Sequence, residues 1–412
     1  ASDIPVVVNL FGTTERVAAG LGITLDKLDD LGEFLAALRT PTAPDGLRDA
    51  LSRWPMLKAA LATRPRIIKS ASVQQIVLKG ADVDLSSLPI QTHWPGDAGP
   101  LITWPVVVTR PYGSAAGDIG AYNAGVYRAQ VLMRDKLIMR WPPHRGGAAH
   151  HQSWARQGEK MPVAIVLGAD PATLLSAALP LPQTVSELTF AGALNDARQT
   201  APEGPFGDHT GYYNQAEPFP VVQLTAVTHR RNPIYLSTYT GRPPDEPAII
   251  GEVFNQLALP TIRAQIPEIR DLWLPPAACS YRIAVVCIDK RYPGQARRVM
   301  MALWGMLPQF SYTKMIVVVD TDIDPRNWDD IAWALATRMD PCRDLIVLEN
   351  TPMDYLDFAS PQPGLAGKVG LDATNKIGSE TNREWGQVMK TSSEDASFAT
   401  DLVSRLMPEL RS

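Results

Sequence analysis

The sequence predicts a mixed α/β protein built from more than one domain. Residues from about 70 to 240 contain short segments rich in Val, Ile and Leu, separated by loops rich in Pro and Gly, which is typical of a β-rich domain. Between residues 283 and 348, strand and helix patterns alternate, which indicates a parallel sheet with crossover helices. We therefore expect a β-rich domain followed by a C-terminal α/β domain.

Residues 1–69 predict a smaller N-terminal α/β segment. Pro5–Leu10 has the pattern of a strand, and Asp26–Arg39 and Pro44–Ala62 have the patterns of helices. The sequence starts at Ala1 without a methionine, so we expect this segment to be incomplete.

The β-rich domain is assigned to residues 70–245. Its central stretch, Asn123–Trp154, has apolar residues at 131–133 and 137–139 on either side of the charged turn Arg134-Asp135-Lys136, which predicts a β-hairpin. Further strands are predicted at Ile68–Asp84, Thr103–Thr109, Val163–Gly168 and Phe219–Val227.

Residues 246–266 predict a connecting helix, because apolar residues recur at 249, 250, 253, 254 and 257. Pro260 is expected to limit its continuation. Residues 267–390 form the predicted α/β domain, and residues 391–412 a C-terminal amphipathic helix that would dock on a partner subunit. The alternating elements of the α/β domain are the strands Ile283–Ile288, Met315–Val319 and Leu345–Leu348 and the helices Gln295–Met306 and Asn327–Met339.

The composition argues against several classes of function. The 39 basic and 43 acidic residues give a net charge of −4, so there is no general basic field for nucleic acid. No apolar run approaches the roughly 18 residues of a transmembrane helix. Cys279, Cys287 and Cys342 are far apart and lack zinc-site spacing, which favours buried thiols in a reducing cytoplasm.

Candidate chemistry concentrates around the predicted hairpin. The hairpin would bring Asn123, Arg128 and His144-Arg145-Gly146-Gly147 to one end of a sheet, where the glycines allow close backbone approach and Arg145 suits a phosphate. From these residues alone, a solvated surface hairpin is an equally good interpretation.

Three candidate site carboxylates follow later in the chain. Glu187 lies in the segment 181–192, and Glu203 and Asp208 lie five residues apart in a loop rich in Gly and Pro that can fold both inward. Two carboxylates near an arginine can divide their roles, one ionised and one protonated, but many proteins contain such pairs without using them in catalysis.

Sequence motifs across most of the chain resemble the UbiD family of decarboxylases, which use prenylated flavin mononucleotide (prFMN). The resemblance rests on N-x-G-x-Y-R-x-Q at 123–130 and R-W-x-x-H-R-G-G-A at 140–148, and on five later segments. It implies a split β-barrel flavin-binding domain for residues 70–245 and reversible, non-oxidative decarboxylation of a hydroxybenzoate-type acid. The later segments are YTGRPPDEP (239–247), YTKMIVVVD (312–320), TRMDP (337–341), ENTPMDYLDFASP (349–361) and GLDATNK (370–376).

The resemblance also implies the catalytic residues. Arg128 would hold the substrate carboxylate, Glu203 would orient Arg128, and Asp208 would deliver the proton that replaces CO₂. An apolar pocket is expected to raise the pKa of Asp208 for this role. His209, His150 and His151 are interpreted as structural or rim histidines, with contact to a ligand as the alternative interpretation.

Further residues would hold the cofactor. Asn123, His144 and Glu187 match the family's ligands for Mn²⁺, and this set of oxygens with one imidazole suits Mn²⁺ or Mg²⁺; the family also has a monovalent cation such as K⁺ nearby. Lys314 matches a lysine at the flavin phosphate. The full set expected at the flavin is Asn123, Val126, Tyr127, Arg128, Arg140, Trp141, Pro142, Arg145, Gly146 and Lys314.

The same resemblance implies partners: an aromatic acid and CO₂, a flavin prenyltransferase as cofactor supplier, and further copies of the chain in a dimer or hexamer. One departure is the short segment between Gly192 and Glu203, where the family has a longer insertion. Two rival interpretations are an ordinary FMN oxidoreductase and a flavin-phosphate binding protein without decarboxylase activity.

Overall fold

The computed structural model describes residues 2–39, 70–143, 145–178, 193–306, 308–389 and 391–406, with isolated positions at 46, 54, 58 and 68. The predicted helix Pro44–Ala62 lies almost entirely outside these ranges. His144 and Glu187, two of the three predicted metal ligands, also lie outside them.

The N-terminal segment is mostly helical in its described part. Strand β1 (Val6–Val7) is shorter than predicted and precedes α1 (Thr14–Gly20) and α2 (Leu28–Arg39). The hydroxyl of Thr13 accepts a hydrogen bond from the backbone of Arg16 at 3.3 Å and so caps the start of α1.

Eight strands of the β-rich domain form one sheet, in the order β3-β6-β7-β10-β9-β8-β4-β5. Its inward apolar side chains form a core that includes Val107, Leu137 and Val222, all almost fully buried. Closure of this sheet into the expected split barrel stays a prediction. The elements of this region are β2 (Ile76–Lys79), β3 (Leu101–Ile102), β4 (Val106–Thr109), β5 (Asn123–Val126), β6 (Ala129–Met133), β7 (Lys136–Met139), α3 (Gly146–Ala155), β8 (Met161–Val166), α4 (Pro171–Ala178), β9 (Ala193–Glu203), β10 (Glu217–Leu224), β11 (Ala226–His229) and β12 (Tyr235–Leu236).

The predicted hairpin is present as β6 and β7, paired antiparallel with Gln130 opposite Ile138. In contrast, the single strand predicted at Phe219–Val227 is two strands, because the chain changes sheets at Thr225. Before this residue β10 pairs with β7 and β9, and after it β11 pairs with β2. The Thr225 carbonyl accepts a hydrogen bond from Gly80 at the change.

The connecting helix α5 (Glu246–Gln265) continues past Pro260, so the expectation that this proline would limit it is wrong. The α-helix tolerates the lost backbone hydrogen bond because tertiary contacts hold the segment in place. Helix α2 packs against α5 at Gly32, where an added Cβ would lie 3.0 Å from the Leu257 carbonyl oxygen and 3.2 Å from a Pro260 ring carbon.

The C-terminal domain contains a mixed five-stranded sheet in the order β13-β14-β15-β17-β16. Only β14, β15 and β17 run parallel, and the predicted third parallel strand, β16, is an antiparallel edge strand. The prediction failed because the next strand, β17, pairs parallel with β15 and lies between β15 and β16. Strand β16 then pairs antiparallel with β17 at the edge of the sheet. The elements are β13 (Ile269–Trp273), β14 (Ile283–Ile288), α6 (Gln295–Met306), β15 (Met315–Asp320), α7 (Trp328–Arg338), α8 (Pro341–Asp344), β16 (Leu345–Pro352), β17 (Leu365–Asp372) and α9 (Ser393–Leu406).

Helix α9 presents its apolar side chains to the surface of the chain. Phe398, Leu402 and Leu406 are 69%, 43% and 70% exposed, so the helix does not bury them against its own α/β domain. Among the helices within the described ranges, none has the length and apolar character needed to cross a membrane.

Candidate active site

The site is built around the Glu203 carboxylate at the end of β9, which is completely buried. Oε1 accepts a hydrogen bond from Arg128 Nε at 2.8 Å. Oε2 accepts from Arg140 Nη1 at 2.6 Å and from Arg128 Nη2 at 3.3 Å. Two guanidinium groups therefore share one carboxylate, which supplies the counter-charge that a buried arginine needs.

Arg128 joins both acids that the sequence singled out. Its Nη1 donates to Asp208 Oδ2 at 2.8 Å, and its Nη2 donates to Asn214 Oδ1 at 2.9 Å. Burial acts to lower the pKa of Arg128, but the charges of Glu203 and Asp208 outweigh it and raise this pKa. The guanidinium also lies 5.4 Å from the centre of the Phe206 ring.

The loop after β9 turns inward at Gly204, which brings Asp208 to Arg128. Gly204 has a φ of 90°, a conformation that favours glycine, and its N–H donates to Gln130 Oε1 at 2.9 Å. Farther along, Asn214 Oδ1 accepts from the Phe206 backbone at 2.9 Å as well as from Arg128. Asn214 thus fixes the loop and the arginine together.

Asp208 is held as a carboxylate, so the predicted raised pKa is wrong for this arrangement. Burial acts to raise the pKa of Asp208, but the hydrogen bond from His209 and the positive charges of Arg128 and His209 lower it well below 3.8. His209 donates its backbone N–H to Asp208 Oδ1 at 2.8 Å, and the His209 Nδ1 atom lies 2.9 Å from the same oxygen.

Arg140 connects Glu203 to the C-terminal domain, and its expected role at the cofactor stays a prediction. Its Nη2 donates a hydrogen bond to the Tyr355 hydroxyl, and its Cζ lies 5.2 Å from the centre of the Tyr355 ring. It also lies 4.9 Å from the Phe219 ring centre. A second interdomain contact, 5.7 Å between ring centres, joins Tyr212 to Phe358.

A glycine-lined cradle lies beside this cluster, at the start of α3. An added Cβ on Gly146 would lie 2.3 Å from Asn123 Oδ1, and one on Gly147 would lie 2.6 Å from Trp141 Nε1. The Tyr127 hydroxyl accepts from the Gly147 N–H at 3.1 Å and lies 3.4 Å from Asn123 Nδ2. Only glycine allows the helix to approach these side chains so closely.

The electrostatics of the cradle suit an anion. Arg145 is exposed at the N-cap of α3, where its side chain makes no capping hydrogen bond, so the positive end of the helix dipole and a guanidinium lie together. Trp141 Nε1 is buried, and no described residue accepts its hydrogen bond. These donors fit a phosphate group.

The remaining predicted residues have local partners of their own. Val126 ends β5, opposite Val106, and the Pro142 carbonyl accepts from the Arg145 backbone at 3.0 Å. Lys314, in the C-terminal domain, pairs with Asp357 at 2.7 Å. No group of three or more His, Cys, Asp or Glu side chains within the described ranges is arranged to hold a metal ion.

Sequence reasoning missed Asn214 and Tyr355, and it assigned Arg140 to the flavin without its contact to Glu203. The amide of Asn214, the second arginine on Glu203 and the hydroxyl of Tyr355 all act through the tertiary structure. The available signal is the position of Tyr355 inside the segment 349–361, one of the motifs that carry the family resemblance.

Two family models match the chain over most of its length. The model described as 3-octaprenyl-4-hydroxybenzoate carboxy-lyase Rift-related domain (UbiD) matches residues 66–200 and 196–243. The model described as 3-octaprenyl-4-hydroxybenzoate carboxy-lyase C-terminal domain (UbiD_C) matches residues 248–373.

Solved structures with the same fold cover nearly the whole chain. Vanillic acid decarboxylase from Sedimentibacter hydroxybenzoicus in its closed form has a TM-score of 0.80 at 23% identity, over 99% of this chain and 88% of that one. The UbiD-class enzyme HmfF from Pelotomaculum thermopropionicum, in complex with FMN, has a TM-score of 0.72 at 26% identity, over 97% and 88%. An evolved dimeric form of HmfF with prFMN has a TM-score of 0.70 at 27% identity, over 96% and 88%.

Removal of Arg140 should destabilise the fold more than removal of a surface arginine. Arg140→Met deprives the buried Glu203 of one cation, and breaking a buried pair costs about 3 kcal/mol in the free energy of unfolding. The control is Arg270→Met, which breaks the exposed pair with Asp289 and should cost less than about 1 kcal/mol. Urea unfolding measures both, and equal losses would contradict the structural role of Arg140.

Proposed function

Because this chain belongs to the UbiD family and is a carboxy-lyase, we propose that it decarboxylates an aromatic acid of the hydroxybenzoate type with prFMN as its cofactor. The observation that carries this proposal is the hydrogen-bonded set of Arg128, Glu203 and Asp208. A cation fixed between two carboxylates can bind an anionic substrate and keep a proton-transfer group next to it.

The cradle beside this set supports the cofactor part of the proposal. Tyr127, Trp141, Arg145 and Gly146 lie at or near the N-terminus of α3, where the flavin phosphate is proposed to bind. HmfF, with structures in complex with FMN and with prFMN, lends further support at 26–27% identity. When bound, prFMN supplies an electron sink for the electron pair left by departing CO₂.

The proposed metal site consists of Asn123, His144 and Glu187 and would bind Mn²⁺ or Mg²⁺, with K⁺ nearby. Of these ligands only Asn123 lies within the described ranges, at the start of β5 and next to the cradle. Its amide oxygen is a suitable ligand for a hard cation. Lys314 is proposed to reach the phosphate from the C-terminal domain.

The three central side chains have separate proposed roles. Arg128 binds the substrate carboxylate. Glu203 fixes the orientation of the Arg128 guanidinium through two hydrogen bonds. Asp208 delivers a proton to the ring carbon that loses CO₂, so that a C–H bond replaces the C–C bond. Since Asp208 is ionised in this arrangement, it must first receive that proton.

Two rival functions explain less of the site. An ordinary FMN oxidoreductase would be reduced by NAD(P)H, and a flavin-phosphate binding protein would release no CO₂. Neither needs an arginine held between two carboxylates, one of which is completely buried.

Three further relations belong to the proposal. A flavin prenyltransferase would supply the cofactor. A homo-oligomer, either a dimer or a hexamer, would cover the apolar side chains that α9 exposes. A cytoplasmic location is proposed from the three cysteines, of which Cys287 is buried as expected whereas Cys342 is exposed, contrary to the expectation.

Activity should depend on co-expression with a flavin prenyltransferase. Protein made without it should release no CO₂ from hydroxybenzoates, because unmodified FMN lacks the added prenyl-derived ring. Co-expression should restore CO₂ release and change the visible absorption spectrum. Full activity with FMN alone would refute the cofactor assignment.

Substitution of Asp208 should impair protonation of the product. Asp208→Asn cannot donate the proton, so deuterium exchange at the former carboxyl carbon should slow by roughly 10²–10⁴-fold. Asp208→Glu keeps the carboxyl group and should retain partial activity. Exchange in D₂O, followed by NMR of the product, measures both variants, and a wild-type rate for Asp208→Asn would remove this residue from the mechanism.

The exposed face of α9 should hold subunits together. Phe398→Glu combined with Leu402→Glu places charges where another copy would pack, so the assembly mass measured by light scattering should fall. Ser397→Glu, a neighbouring exposed position, is the matched control and should leave the mass unchanged. An unchanged mass in the double variant would exclude α9 from the interface.

A further inference from the structure

The proton that Asp208 delivers needs a source within the site. Both oxygens of Asp208 are occupied, Oδ2 by Arg128 Nη1 at 2.8 Å and Oδ1 by the backbone N–H and the ring of His209. The His209 ring is the group in contact with Asp208 that can release a proton near neutral pH, since a guanidinium cannot.

The other ring nitrogen of His209 is buried without a hydrogen-bond partner among the described residues. The His209 ring centre lies 6.5 Å from that of Tyr281, and the His209 side chain is 19% exposed. The ring therefore lies between the two domains. Its Nδ1 atom contacts Asp208, and its Nε2 atom has no hydrogen-bond partner among the described residues.

Charged groups from several elements face this ring. Asp208 lies in the same loop as His209, and Asp245 caps α5. Arg282 and the neutral Tyr281 precede β14, and Asp354 follows β16. The Tyr281 hydroxyl donates a hydrogen bond to Asp354 at 2.7 Å. Burial acts to lower the pKa of His209, but the hydrogen bond with Asp208 and the charges of Asp208 and Asp354 raise it above 6.5 despite Arg282.

We propose that His209 stores the proton that Asp208 transfers to the product, so that the two side chains act as one proton-donating pair. This inference rests on the proposed function, in which Asp208 is the acid. His209 acts through Asp208 and is a positioning residue in this scheme, not a group that touches the substrate.

The steps conserve protons and electrons. A substrate carboxylate competes with Asp208 for the Arg128 guanidinium, which weakens one of the interactions that keep Asp208 ionised. The proton on His209 Nδ1 then moves to Asp208 Oδ1, and from Asp208 to the carbon that has lost CO₂. The electron pair of the broken C–C bond ends in the new C–H bond, and water returns one proton to the imidazole after product release.

The sign of the pH dependence follows from the storage role. The pair carries the transferable proton while His209 is protonated, which is below its raised pKa. The rate of product exchange should therefore be high at acidic to neutral pH. It should fall about tenfold for each pH unit above that pKa, because each unit leaves about one tenth as much protonated imidazole.

The experiment measures deuterium exchange at the former carboxyl carbon of the product, with prFMN-loaded enzyme across a range of pH. His209→Asn keeps an N–H donor near the position of Nδ1 but has no transferable proton. Its exchange should be slower by about 10²-fold and should lose the alkaline decline, with unchanged flavin content. His229→Asn is the matched control, since His229 lies on the surface at the end of β11 and should behave as wild type.

Several outcomes decide between the proposals. Wild-type rates and an unchanged pH profile in His209→Asn overturn the storage role, and a slow Asp208→Asn enzyme in the same assay shows that the proposed function survives. If His209→Asn fails to load flavin, the wild-type profile decides: a rate that stays constant from neutral pH to the alkaline limit of enzyme stability overturns the inference. A wild-type enzyme without exchange or CO₂ release overturns the proposed function and this inference together.

Discussion

The structure of the site depends on one buried carboxylate shared by two arginines. Arg128 immediately precedes β6 and Arg140 immediately follows β7, so the hairpin ladder sets them opposite each other, with the Arg140 N–H bonded to the Arg128 carbonyl at 3.2 Å. Two adjacent guanidinium groups would repel in a dry interior. Glu203 lies between them, and its negative charge offsets this repulsion and fixes both side chains.

This arrangement links the two domains as well as the strands. Tyr355, from the C-terminal domain, contacts Arg140 through its hydroxyl and its ring, so the second arginine is held from both sides. Because Arg140 and Arg128 share Glu203, the C-terminal domain contacts the arginine pair through Arg140. His209 lies in the same interdomain region, between Asp208 and Tyr281, so proton supply and domain contact share one set of side chains.

The sequence allowed prediction of local features more readily than their tertiary partners. The β6–β7 hairpin was predictable because apolar runs flank a charged turn, and Arg128, Glu203 and Asp208 lie in motifs that the structure brings together. The pKa of Asp208 was predicted in the wrong direction, because its neighbour His209 turns its ring back to the carboxylate. Two further predictions were wrong because tertiary contacts determine them. Helix α5 continues past Pro260, where it packs against α2, and β16 is antiparallel because β17 pairs between it and β15.

The most direct test of this account is the kinetics of CO₂ release by Glu203→Gln enzyme loaded with prFMN. The substitution keeps the size of the side chain but removes the charge that both arginines share. The account predicts that KM rises and kcat falls together, because Arg128 loses the partner that orients it toward substrate, while flavin content stays normal. Wild-type KM and kcat in a folded, flavin-loaded Glu203→Gln enzyme would contradict it.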